Sequence, residues 1–277
     1  MKVLLLTSNS KQNMALSQMI AKHHELTGIV YENRFSADSR LSNYLKKINY
    51  NPFKAIKKAY QKFRLRYLEN NLVEGINEGY KDYDSFFKTS ILEVMNINQQ
   101  ESVDFIKQNF HDIIVVSGTK MVKKGVLSLK PAYGIINMHT GLSPYYNGGP
   151  SCTFWCLYND DIECIGATVM FIDEGIDSGN IVLSDTVVIN ETDTYGMLEF
   201  KAIDLGNQLI LKALNKLEKD RSFKGVPQKS ITSGYVFYNR DYTFSKKLFV
   251  QEKIKKGRIK TLVNEKKTGK TLVRITE

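Results

Sequence analysis

Apolar and polar residues fall into short blocks along this chain, and the period of the blocks alternates between that of strands and that of helices. Residues 2–6 form an apolar run that ends in the turn-formers Thr7-Ser8-Asn9-Ser10. Met14, Leu16, Met19 and Ile20 follow at helical spacing, and Gly28-Ile29-Val30-Tyr31 is a second short run. Strand, helix, strand in that order predicts the start of a parallel α/β sheet. The order returns further on. Asn98 with Glu101 has the form of a capping box, ahead of Val103, Ile106 and Phe110 at helical spacing. Ile113-Ile114-Val115-Val116 is apolar without alternation, as expected of a strand covered on both faces. Residues 134–136, 167–172 and 181–189 supply further strands. Thr192 or Asp193 can cap a long helix with Met197, Phe200, Ile203, Leu205, Leu209, Ile210, Leu214 and Leu217 on its apolar side. The fold class expected is α/β, a Rossmann-like and mostly parallel sheet with helices on both faces, in a main domain over 1–218.

Two regions stand outside this alternation. Residues 35–85 form a helical insertion ahead of a β-like stretch at 91–95. Within it Asn51-Pro52 is a good helix start, followed by Phe53, Ile56, Tyr60, Phe63 and Tyr67 with Lys54, Lys57, Lys58 and Lys62 between them. The first expectation for this basic amphipathic helix is an apolar face packed on the body and a solvated basic back. Contact of residues 52–67 with an anionic substrate or a membrane surface is the second. The tail, 219–277, alternates Lys-rich segments with apolar runs such as 235–238 and 261–263, and reads as a small β-containing appendage.

Composition narrows the classes. With 42% apolar and 25% charged residues the chain of 277 is neither disordered nor fibrous. No stretch reaches the roughly 18 apolar residues that span a bilayer, and the first apolar run is too short for a secretion signal, so a cytoplasmic location is expected. A net charge of +10 favours an anionic partner. Cys152, Cys156 and Cys164 are too few for a disulfide scaffold and lack the further ligands zinc would need; buried, inert thiols and no metal are expected.

Candidate chemistry lies in two loops. In Ile136-Asn137-Met138-His139 an apolar strand runs out into the turn-rich loop 140–150, and residues two apart on a strand share a face. Ligands of open α/β sheets collect at the carboxyl ends of strands, where an amide beside an imidazole can form an oxyanion clamp. Taken alone, Asn137 is equally a turn-former and His139 a structural histidine. The segment 171–179, with Asp173, Glu174, Gly175, Asp177 and Gly179, is either a polar turn or a loop whose carboxylate orients and charges that imidazole.

Together, Asn137-x-His139, Leu142-x-Pro144 with Gly148-Gly149 behind it, and Asp173-Glu174-Gly175-x-Asp177-x-Gly179 closely resemble the formyltransferase family. The resemblance is strong over residues 100–215 and only architectural over 1–34. It implies that Asn137, His139 and Asp177 are the catalytic three, in a direct transfer of a formyl group from 10-formyltetrahydrofolate to an amine. It implies a folate pocket built from Ser117, Gly118, Lys120, Met121 and Val122 in one loop and Phe171, Ile172, Asp173, Glu174 and Gly175 in another. Ser8, Asn9, Thr140, Gly141, Tyr145, Asn147 and Gly148 are the acceptor-side candidates. Thr140-Gly141-Leu142-Ser143-Pro144 departs from the Ser-Leu-Leu-Pro of several relatives. The loop 7–13 lacks the glycines of the glycinamide ribonucleotide enzyme. A nucleotide-linked amino sugar is therefore the expected acceptor, with methionyl-tRNA or water as alternatives, no stable nucleic acid partner, and a homodimer left open. Trp155 either stacks on a base or, more in keeping with its place on a helix, is a core aromatic.

Overall fold

The computed structural model describes residues 1–33, 51–173, 175–265 and 272–276. In chain order these form β1 (Lys2–Ser8), α1 (Lys11–His23), β2 (Glu25–Glu32), α2 (Pro52–Arg64), α3 (Arg66–Gly79), β3 (Ser90–Val94), α4 (Gln100–Gln108) and β4 (Ile113–Ser117). There follow α5 (Lys124–Leu127), β5 (Ile135–His139), β6 (Tyr146–Gly148), α6 (Cys152–Asn159), β7 (Gly166–Phe171), β8 (Ile181–Thr186), α7 (Tyr195–Lys219), β9 (Tyr235–Phe237), α8 (Phe244–Lys255) and α9 (Arg258–Asn264).

The main sheet has the order β3-β2-β1-β4-β5-β7-β8. Its first five strands are parallel, whereas β7 runs antiparallel to β5 and β8 antiparallel to β7. The period of two in a strand sends alternate side chains to opposite faces, and β1 feeds two cores. Val3 and Leu5 pack with Leu16, Ile20 and Ile210 on one side. Leu4 and Leu6 pack with Val103, Ile106 and Val126 on the other. The sheet is thus the α/β sheet expected, covered by helices on both faces.

Local details differ from the sequence expectations. No capping box forms at Asn98: α4 starts one residue later, after Gln99. The Asn98 amide donates instead to the Met121 carbonyl, and its oxygen accepts from the Lys123 N–H at 2.7 Å. Thr194, not Thr192 or Asp193, caps α7 by accepting from the Met197 N–H, because Asp193 is held by Lys201 at 2.6 Å. The strand expected over 181–189 ends at Thr186. Residues 34–50 of the insertion lie outside the described residues.

The tail has little strand. Tyr235–Phe237 pairs with β6 in a separate two-stranded sheet, while the apolar run 261–263 lies in a helix. Val250, Ile259 and Leu262 share one apolar cluster with Phe154 and Trp155. Lys253 and Arg258 reach Asp160, just past the carbonyl end of α6, at 2.7 and 3.1 Å; cations at that end of a helix also meet its negative dipole. Trp155 is fully buried and stacks on Phe237 at 4.2 Å, so it belongs to the core.

Candidate active site

Parallel pairing of β4 with β5 sets Val116 beside Asn137, and antiparallel pairing of β5 with β7 sets His139 beside Thr168. Both functional side chains therefore emerge at the carboxyl end of β5, between the loop after β4 and the loop after β7. A cavity of about 530 Å³ opens there, lined by Asn137, His139 and Asp177. That volume lies within the usual range of small-molecule sites.

Asp177 is the hinge of the cluster. Its Oδ2 accepts from the Gly148 N–H at 3.0 Å and lies 3.5 Å from His139 Nδ1. Its Oδ1 lies 3.5 Å from Asn137 Nδ2. Contacts that long are weak, so the amide and the imidazole keep two donors that a better-placed oxygen at the cavity wall can take. The Asp177 backbone sits at φ 47°, in the left-handed region that costs a non-glycine residue free energy. Gln228 holds that turn: its Nε2 donates to the carbonyls of Asp177 at 2.7 Å and Gly179 at 2.9 Å.

The far edge of the imidazole is buried. His139 Nε2 lies 3.1 Å from the Tyr146 carbonyl and 3.3 Å from Cys152 Sγ. Burial by itself lowers the pKa of the ring, but the Asp177 carboxylate, the Cys152 sulfur and the Tyr146 carbonyl outweigh it and push it up to about 10. A ring protonated at neutral pH donates from both nitrogens, towards Tyr146 on one side and Asp177 or the cavity on the other. Cys152 is a buried free thiol, as expected, and it touches the His139 ring.

The two folate-side loops both line the cavity: Ser117, Gly118, Lys120, Met121 and Val122 from one, Phe171, Ile172, Asp173 and Gly175 from the other. Glu174 lies outside the described residues. The first loop is tied down by buried Glu32, whose carboxylate accepts from the Lys120 N–H at 3.2 Å. At Gly118, φ +69° is a conformation that strains any other residue, and a Cβ there would press on the Asn13 amide at 3.0 Å.

Of the acceptor-side candidates, Thr140 and Gly148 line the cavity. Ser8, Asn9, Gly141, Tyr145 and Asn147 do not line it and make contacts with neighbouring protein. Ser8 accepts from the Asn13 amide. The Asn9 N–H bonds the Glu32 carbonyl. Tyr145 accepts from the Val273 N–H, and Asn147 donates to Gln228. Gly141 makes room for the His139 ring: a Cβ there would stand 2.7 Å from His139 Nε2 and 2.9 Å from Cys152 Sγ.

Sequence reasoning missed Cys152, Gln228 and Glu199. Glu199 lines the cavity from α7, nearly buried, and accepts from Ser151 Oγ at 3.0 Å. Burial raises the pKa of its carboxyl. A carboxylate four residues before the core residue Ile203 was its available signal; nothing local marks Gln228. Among the described residues no group of His, Cys, Asp and Glu could hold a metal ion.

A family model described as Formyl transferase matches residues 1–214. The methionyl-tRNA formyltransferase of Halothermothrix orenii is 40% identical over 131 residues, covering 47% of this chain and 40% of that one. The chain spans about half the length, or less, of the curated relatives first matched, at 40, 49 and 44%. A 4-N formyltransferase from Francisella tularensis superposes with a TM-score of 0.54 at 18% identity, covering 87% of this chain and 78% of that one. A formyltransferase from Anoxybacillus kamchatkensis, solved with UDP-4,6-dideoxy-4-formamido-L-AltNAc and tetrahydrofolate, does so at 0.50 and 15% identity, covering 87% of each. At those identities the solved structures speak for the fold.

Proposed function

The chain belongs to the formyl transferase family, and from that premise we propose that it moves a formyl group from 10-formyltetrahydrofolate to the primary amine of a nucleotide-linked amino sugar. The observation that carries the chemistry is the meeting of Asn137, His139 and Asp177 on one cavity wall. The amine nitrogen attacks the formyl carbon, the carbonyl oxygen gains charge, and the bond from that carbon to N10 of the folate breaks. Asn137 and protonated His139 donate to the oxyanion in place of their long contacts with Asp177. Asp177 accepts the proton shed by the attacking amine and returns it to N10, so the ring of His139 stays charged throughout.

The lining supports the donor. Met121, Val122, Phe171 and Ile172 offer apolar walls, and the loops that carry them offer backbone groups to the edges of a flat heterocycle. Support for a sugar acceptor comes from Ser151 and Glu199, a half-buried hydroxyl and a buried carboxyl in the same cavity and suited to sugar hydroxyls. The UDP-sugar held by the Anoxybacillus kamchatkensis enzyme points the same way. A second reading, transfer to methionyl-tRNA, is favoured by the names of the curated relatives.

The test is formation of tetrahydrofolate, followed by absorbance, in parallel reactions with UDP-, dTDP- and GDP-linked amino sugars, methionylated initiator tRNA, or no acceptor. Turnover with an amino sugar supports the proposal. Turnover only with the tRNA transfers the acceptor to the second reading, and turnover without any acceptor makes the protein a hydrolase. No turnover in any arm removes the activity.

A further inference from the structure

Phe53, Ile56, Tyr60 and Phe63 of α2 are 80, 66, 52 and 68% exposed. A helix turns about 100° per residue, which gathers these four in a stripe roughly 80° wide. The half-buried residues of α2 are Ala55, Lys58 and Gln61, and buried Leu65 follows them. On the same wheel they centre about 180° from the stripe. No residue of α2 is buried. The helix is therefore mounted inside out relative to the expected packing, with its polar side towards the body and its apolar side in water. Surface helices of globular proteins do the reverse, and an apolar patch of this kind marks an interaction surface.

The orientation follows from what comes next in the chain. Leu65 and Leu68 are buried, and Gln251 of α8 bridges the break between α2 and α3 by donating to the Arg64 carbonyl at 2.9 Å and accepting from the Leu68 N–H at 3.1 Å. Anchoring the turn this way fixes which side of α2 faces outward.

Lys54, Lys57, Lys58, Lys62 and Arg64 lie on α2, which has no Asp or Glu. On the helical wheel Lys57 and Arg64 border the stripe. Arg64 donates to the Tyr60 hydroxyl at 2.7 Å, and Arg66 stands 5.8 Å from the Phe63 ring centre. Lys57 and Arg64 along one border of aromatic and aliphatic side chains, with Arg66 beside Phe63, match a surface that is anionic outside and apolar beneath. We propose that α2 docks the protein on an anionic lipid bilayer. Phe53, Ile56, Tyr60 and Phe63 enter the boundary between headgroups and acyl chains, and Lys57 and Arg64 at the border of the stripe meet the phosphates. RNA would neutralise the lysines but leave Ile56 and Phe63 in water. A second copy docking through the same face would set one row of cations against another. The inference rests on α2 alone and stands or falls separately from the formyl-transfer reading.

The full chain, mixed with vesicles of phosphatidylcholine alone or with added phosphatidylglycerol at 0.15 M salt, is floated on a density gradient. Flotation is expected only with phosphatidylglycerol. The double variant Ile56→Asp/Phe63→Asp should lose at least about tenfold in vesicle affinity, since each side chain forfeits its apolar burial. Lys57→Ala and Arg64→Ala should each lose about fivefold. Circular dichroism of every variant should match the parent, since these side chains are exposed. Failure to float with phosphatidylglycerol overturns the proposal, as does flotation indifferent to the double variant. Binding of tRNA through these residues without vesicle binding would make α2 an RNA surface. A dimer dissociated by Phe63→Asp, again without flotation, would make it a self-association face; either result replaces the bilayer.

Discussion

The cavity at the end of β5 and the outer face of α2 treat their side chains in opposite ways. At the cavity, polar groups far apart in the chain are folded inward and satisfy one another: Asp177 accepts from Gly148, Gln228 holds the turn of Asp177, and Glu199 accepts from Ser151. On α2, apolar groups close in the chain are turned outward, with Lys57 and Arg64 along one border. The contrast teaches where electrostatics is strong. Inside, low polarisability magnifies each hydrogen bond and each unpaired group. Outside, salt screens the charges over about 8 Å, so the helix depends on apolar contact as well as on its lysines.

Four measurements break or sharpen that contrast. The largest effect is expected for core aromatics: Trp155→Ala should lower unfolding free energy by about 3–5 kcal/mol, whereas Phe63→Ala on α2 should stay within about 0.5 kcal/mol. Urea titrations giving equal losses would mean that the α2 stripe is packed after all. Next is Asp177→Asn, expected to keep the fold and folate affinity while turnover drops about 100- to 1,000-fold. Undiminished turnover would take Asp177 out of the mechanism. Gln228→Ala leaves the carbonyls of Asp177 and Gly179 without their donor, at a cost of about 1–3 kcal/mol. Its KM for the formyl donor should rise more than its kcat falls; the reverse split would show that Gln228 does not work by holding the loop.

The smallest effect concerns pH. The folded pKa of His139, about 10, lies above the unfolded value of about 6.5. Its contribution to stability is therefore fully present below about pH 6.5 and is lost as pH rises towards 10. Asp177→Asn removes the chief cause of the elevation, so the fall in Tm between pH 7 and 10 should be shallower in the variant, and the alkaline limb of its residual activity should move to lower pH. Parallel Tm curves would mean that Asp177 does not charge the ring.

Much of the sheet was legible because strand and helix periods are local: alternate residues of β1 reach two cores, and the unbroken apolar run of β4 is buried on both faces. The motif residues Asn137, His139 and Asp177 could be chosen in advance because the motifs that hold them resemble those of the formyltransferase family; alone, each reads equally as a turn or structural residue. Gln228 could not be, since its partners lie 51 and 49 residues away. Cys152 looked like any small apolar residue until the fold put it against an imidazole. The capping box at Asn98 failed because the loop at 121–123 claimed the same side chain.

From its residues alone this chain determines which segments of the main sheet are strand or helix, though not where each begins, and which groups are chemically equipped to work. Those choices follow from backbone sterics, side-chain period and functional-group chemistry, which act over a few residues. Only the tertiary structure decides which distant groups share a cavity, that β7 and β8 run antiparallel, and that α2 shows its apolar side to the outside. An amphipathic helix specifies two faces but not what each face will meet. That is set by the long-range packing of Leu65, Leu68 and Gln251 against the rest of the fold.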